Sequence, residues 1–193
     1  MNKVFTILAV LLVSTVCLTD KEILQQTLNG AFEQNKLPAP KTIIDCLDDA
    51  TAKKIVALIG TVLDKAAKGS PADIISLIDI VKKFIDEVPQ PVKDCLDGNA
   101  ELKALGLKYG IDDTTESSAI EKKIITYITL HYLTVHKWAG QLNDEWKAAK
   151  YYQNGYDAAT YAHSMLAVSA KEDALPGITN KEILQQALNG AFE

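Results

Sequence analysis

The chain has 193 residues, 48% of them hydrophobic and 23% charged, with 25 acidic side chains against 20 basic ones and a net charge of −5. That is enough for one domain with its own core, and the acidic balance disfavours a nucleic-acid partner. Every basic residue is lysine, so the two-pronged grip of arginine on phosphate or carboxylate is missing.

Residues 1–19 read as a secretory signal. Lys3 gives the positive start, Val4–Val13 is apolar apart from Thr6, and Ser14–Cys17 is a small-residue approach to a cut after Cys17 or Thr19. The apolar run falls short of the roughly 20 residues that a membrane span needs. No other stretch is a candidate span, so the chain is expected outside the cell, without stable membrane insertion.

The periodicity after the leader is helical throughout. Thr19 or Asp20 can cap a helix reaching about Gln34, with Ile23, Leu24, Thr27, Leu28, Ala31 and Phe32 on one face. Gln25, Gln26 and Asn29 are expected to face away. Leu37–Pro40 breaks that helix, and a second is expected from Pro40 to about Asp48. A third follows Thr51 and ends at Gly69. Ser70-Pro71-Ala72-Asp73 places a cap, a proline and an acid where a helix start wants them. The helix it opens carries a wide stripe from Ile74 to Val88, which predicts a central position. A short helix holds Cys95, another spans about Ala100–Leu105, and 106–118 reads as a polar loop. One long helix is expected from Ser118 to Gly140, with Ile120, Ile124, Ile125, Ile128, Tyr132, Val135 and Trp138 inside. Another starts at Asn143, Asn154-Gly155 breaks it, and a last one runs to about Val168.

Two cysteines remain beyond the leader, Cys46 and Cys95, and an even pair in a secreted chain implies a disulfide. Closing a loop of about 49 residues stabilises by roughly 4 kcal/mol on the chain-entropy estimate. Each cysteine sits in Asp-Cys-Leu-Asp, at Asp45–Asp48 and Asp94–Asp97, after a Pro-x-Pro. Two sulfurs without a neighbouring His or Cys make too few ligands for zinc. The carboxylates Asp45, Asp48, Asp49, Asp94 and Asp97 match no EF-hand spacing. No metal and no cofactor is expected.

The fold class expected is therefore all-α, a multi-helix bundle of about seven to nine helices with one intrachain disulfide. A domain over 20–178 would hold an aliphatic lobe (20–106), an aromatic lobe (118–168) and a linker (169–178). Both tryptophans and six of the seven tyrosines lie between Tyr127 and Tyr161. Helix packing is the plain reading of that cluster. The functional reading makes Trp138, Trp146, Tyr151, Tyr152 and Tyr156 contacts for a ligand or sugar. His131 and His136 are five apart on one helix and diverge, so they do not form a metal pair.

Residues 179–193 begin a second copy of the mature start. Thirteen of the fifteen positions from Thr19 to Glu33 return from Thr179 to Glu193, and only Asp20 to Asn180 and Thr27 to Ala187 differ. Either the chain is a unit of a tandem array, or one segment is supplied twice so that copies can join. Both make Ile23, Leu24, Leu28 and Phe32, with Ile183, Leu184, Leu188 and Phe192, an assembly face whose partner is the protein itself.

Gly-x-Ser-x-Gly, His-Glu-x-x-His and a phosphate loop are all missing, and a disulfide would occupy both remaining thiols. No enzyme is expected. The leading function is a secreted, self-associating helical protein of an extracellular filament, coat or surface layer. The alternative is a carrier of an apolar small molecule or lipid, with the stripes 74–88 and 120–135 lining a cavity. The third is a weak carbohydrate binder. The two-cysteine helical layout resembles small secreted lipid-binding helical domains in outline. The six-cysteine saposin pattern is absent, however, and no residue role is taken from the resemblance.

Overall fold

A computed structural model describes residues 18–112 and 114–172, and of 167–172 the backbone alone. The leader up to Cys17, the linker beyond Glu172 and the second copy at 179–193 lie outside these. The described residues form eight α-helices, a single 3-10 turn and no strand. They are α1 (Asp20–Gln34), the turn Ile44–Cys46, α2 (Asp49–Ala66), α3 (Pro71–Glu87), α4 (Gln90–Asp97), α5 (Ala100–Lys108), α6 (Ser117–Leu130), α7 (Tyr132–Lys147) and α8 (Tyr151–Glu172).

Side chains that satisfy the first free amides set the helix starts. Thr19 caps α1 in a reciprocal box: its amide donates to Glu22 Oε2 at 2.7 Å, and the Glu22 amide donates to Thr19 Oγ1 at 3.3 Å. Ser70 and Asp73 make the same box at α3, with Pro71 at the first turn. Asp48 caps α2 by accepting from the Thr51 amide at 2.6 Å. That role holds Leu47 extended, at φ −97° and ψ 131°. The stretch after Pro40 therefore has room for one 3-10 turn and not for the helix expected up to Asp48.

Three further expectations fail for identifiable reasons. The long helix of 118–140 is two helices that meet at His131, whose φ of −123° and ψ of 31° leave the helical range. No proline or glycine marks the bend. Tyr132, just past it, donates its hydroxyl to the Gly69 carbonyl at 2.9 Å, tying the bend to the end of α2. The helix α7 then runs through Gly140 and Asn143 without a new start. Asn154-Gly155 is no break but the buried interior of α8. The Asn154 amide donates to the Leu142 carbonyl at 2.7 Å, and that helix continues to Glu172 through residues expected in the linker.

Two helix ends use the left-handed turn without glycine. Lys36 (φ 57°) and Ala149 (φ 56°) follow α1 and α7. There the Leu37 amide returns to the Phe32 carbonyl and the Lys150 amide to the Glu145 carbonyl, each at 2.9 Å. Gly110 (φ 70°) does the same after α5.

One apolar cluster joins Ala66, Ile74, Leu77, Tyr127, Ile128, Val135 and Ala139, so residues of both halves of the chain share it. A second, around Leu24, Leu47, Ala52 and Val92, lies on the disulfide side. Cys46 and Cys95 are bonded, with Cα atoms 5.5 Å apart. The helix expected to be central, α3, buries only Ile74 and Leu77. It lies at the edge, with Val81 and Ile85 exposed. On the surface, Asp64 of α2 meets Lys147 of α7 at 2.8 Å and Lys68 at 2.7 Å, and this pair of cations lowers its pKa to about 2.

The most extensive pairing is α1 on α8, and it is backbone against backbone. A Cβ at Gly30 would overlap the Tyr152 carbonyl oxygen, and one at Gly155 would overlap the Thr27 carbonyl oxygen. Neither obstacle is a side chain that can turn away. Gly30→Ala and Gly155→Ala are therefore each expected to lower stability by about 1–3 kcal/mol or more, read by denaturant titration. Ala149→Gly is expected to raise it by about 1 kcal/mol, because the left-handed turn then carries no Cβ.

Candidate functional site

The first copy of the repeated face sits in a built seat. Phe32 is 1% exposed and Leu24 6%, while Ile23 and Leu28 are partly covered. Gly30 lets the α8 backbone come close at Tyr152 and Tyr156, and Gly155 lets the α1 backbone come close at Thr27. At the C-terminal end of α1 the buried Asn35 locks the seam. Its Nδ2 donates to the Tyr109 hydroxyl at 2.9 Å and to the Ala31 carbonyl at 2.8 Å. Its Oδ1 meets His163 Nε2 at 2.7 Å, and the His163 ring lies 4.6 Å from that of Tyr109. Burial pushes the Tyr109 hydroxyl pKa up. The polar residues expected to face away are half-buried: Gln25 Nε2 donates to Asn29 Oδ1 and to the Pro40 carbonyl, both at 2.8 Å.

Of the four first-copy residues, Leu24 and Phe32 are thus buried in the body of the fold, and Ile23 and Leu28 are partly covered. Their partners Ile183, Leu184, Leu188 and Phe192 lie outside the described residues. The seat nevertheless defines what a second occupant needs: Leu24, Gly30 and Phe32, with Thr19 and Glu22 to start the helix. Their counterparts are Leu184, Gly190, Phe192, Thr179 and Glu182, all unchanged. The two substitutions fall at Asp20 and Thr27, both half-buried in the first copy. Thr27 Oγ1 donates back to Ile23 of its own helix at 2.9 Å, and Thr27 touches α8 through its carbonyl. Asp20 is in the first turn, ahead of the packed residues.

The aromatic residues divide into packing and surface. Trp138 stacks with Tyr127 (centroids 5.8 Å apart, planes at 13°) and with Tyr161 (4.5 Å, 7°). Trp138 is thus partly buried against two aromatic neighbours. Trp146 meets Tyr151 edge-on at 5.0 Å and lies over Gly60, where a Cβ would come within 3.1 Å of the indole nitrogen. Tyr152 and Tyr156 are each 37% exposed. They flank Gly30 at the α1–α8 seam, and a hydrogen bond to the Glu33 carboxylate is the main cause of a raised Tyr152 pKa.

One group escaped the sequence reading. Gln141 Nε2 of α7 donates to Glu145 Oε1 at 2.9 Å and to Asp157 Oδ2 of α8 at 2.8 Å. Gln141 Oε1 accepts from the Tyr161 hydroxyl at 2.7 Å. Burial, then the neighbouring Asp157, pushes the Glu145 carboxyl pKa up. An open cleft of about 590 Å³ adjoins it, lined by Lys137, Gln141, Asp144, Glu145 and Lys150 among others. The (i, i+4) spacing of Gln141 and Glu145 is visible in the sequence, but Asp157 joins them only through the packing of α7 on α8.

No group of three or more His, Cys, Asp or Glu among the described residues could hold a metal ion. Asp48, from the acidic set near the disulfide, is occupied as a helix cap. The rings of His131 and His136 lie against Tyr127 and Tyr132 respectively. No described helix is long and apolar enough to cross a membrane.

If Trp138 packs rather than binds, Trp138→Ala is expected to cost about 3–5 kcal/mol in thermal or denaturant unfolding. Tyr156→Ala, whose ring is partly in solvent, is expected to cost clearly less than Trp138→Ala. Comparison of the chain with protein-family models, with curated proteins and with solved structures finds no match.

Proposed function

We propose that this chain is a secreted structural protein whose units join to like units, contributing to an extracellular filament, coat or surface layer. The observation that carries this reading is the unchanged set Leu184, Gly190 and Phe192, matching the residues by which α1 enters its seat. A duplicated surface segment has no reason to keep a glycine that only a close backbone neighbour requires.

The second face also needs cover. The one described seat is filled by α1, so Ile183, Leu184, Leu188 and Phe192 look for apolar cover beyond it. Burying such side chains stabilises by roughly 1.5–3 kcal/mol each. A neighbouring unit, in the same array or in another molecule, supplies that cover. An oxidised disulfide and an apolar leader fit a secreted life. The carrier alternative has less support, because the stripes meant to line a cavity meet each other: Ile74 and Leu77 belong to one cluster with Ile124, Tyr127, Ile128 and Val135. No reaction is assigned.

Sedimentation of the full chain over a range of concentrations tests this. The native protein is expected to associate, and Leu188→Asp to be monomeric with its unfolding transition unchanged. A native chain that is monomeric throughout, like its Leu188→Asp variant, removes the proposal.

A further inference from the structure

We propose that Glu145 holds a proton against Asp157 that clasps α7 to α8 in acid and is released as the pH rises, loosening the helix that seats α1. As a control on assembly this rests on the reading above; as a clasp it stands on the geometry alone.

Both carboxyls accept from the same amide nitrogen of Gln141, so they are held beside each other across the helix seam. The Tyr161 hydroxyl, bonded to Gln141 Oε1, fixes the amide with its nitrogen toward the acids. Both amide hydrogens are then used. Glu145 Oε2 is buried and has no hydrogen-bond partner among the described residues. Two ionised carboxylates would repel there and leave that one buried oxygen without a partner. A proton on Oε2 cures both faults, because the acid then donates to Asp157. Asp157 and Tyr161 face this oxygen's carboxyl from α8, Gln141 is its neighbour on α7, and Lys150 after α7 is the cation that opposes protonation. Lys137 and Asp144 line the same cleft.

The direction follows from linkage. A carboxyl that binds its proton more tightly when folded stabilises the fold in acid, and the contribution disappears as the pH climbs through its folded pKa. Glu22, Asp48, Asp64, Asp73, Glu101 and Asp112 act in the opposite sense, because hydrogen bonds hold their pKa values down. Total stability against pH would therefore hide the clasp, and a difference between variants isolates it.

The test uses the full chain. Carboxyl ¹³C resonances are followed through acid and neutral pH, with the melting temperatures of native protein and Glu145→Gln. Expected is a Glu145 midpoint above the ordinary 4.5 that returns toward it in Asp157→Asn. The glutamine of Glu145→Gln keeps a donor at every pH, so its melting temperature should match the native one in acid and exceed it increasingly toward neutral. A midpoint at or below 4.5 overturns the proposal. So does a midpoint that Asp157→Asn leaves unmoved, since burial alone would then hold the proton. Monomer at every pH, with these shifts present, removes the assembly reading and upholds the clasp.

Discussion

Two hydrogens in place of two methyl groups hold this bundle closed. At Gly30 and Gly155 the first and last described helices approach until backbone faces backbone. Interiors pack to crystal density, so such a contact admits neither a larger residue nor a slide along the seam. It also joins distant parts of the sequence. The helices between, α2 to α7, are folded inside a loop whose ends this contact ties. The disulfide ties a second loop on the other side, from the turn at Cys46 to α4 at Cys95.

Buried amides give that closure its register. Asn35 connects α1 to α8 and to the end of α5, through His163 and Tyr109. Asn99 caps α5 through the amides of Glu101 and Leu102, and reaches Thr42 with its own amide at 2.9 Å. Asn154 answers a carbonyl of α7. Apolar faces alone tolerate small rotations, whereas a buried amide out of place loses partners it cannot replace. The bundle is thus greasy in its bulk and specified by a few polar joints.

What could be read from the chain was mostly local. Thr19 with Glu22, and Ser70 with Pro71 and Asp73, announce helix starts because a cap and the amide it satisfies lie within one turn. The disulfide was legible because only two of the three cysteines lie beyond the expected leader, and two permit one pairing. The bend at His131 was not, since Tyr132 is drawn to the Gly69 carbonyl by a contact 63 residues away. Asn154-Gly155 was misread for a related reason. Glycine means a turn or a close neighbour, and the neighbour was α1, far away in sequence. The stops at Lys36 and Ala149 carry no glycine to announce them. Within the site, the repeated face was plain, but the role of Gly30 and the pairing of Glu145 with Asp157 appear only once helices are side by side.

Were the expected leader removed, the reciprocal cap at Thr19 would make the position of the cut matter. A peptidase cutting just behind Cys17 would deliver α1 with its starting residue intact. One cutting two positions later would strip it, leaving the amide of Glu22 without the Thr19 hydroxyl. Thr179 stands inside the polypeptide and is spared that choice. Two residues at the head of the chain thus decide how firmly the first turn of α1 is held.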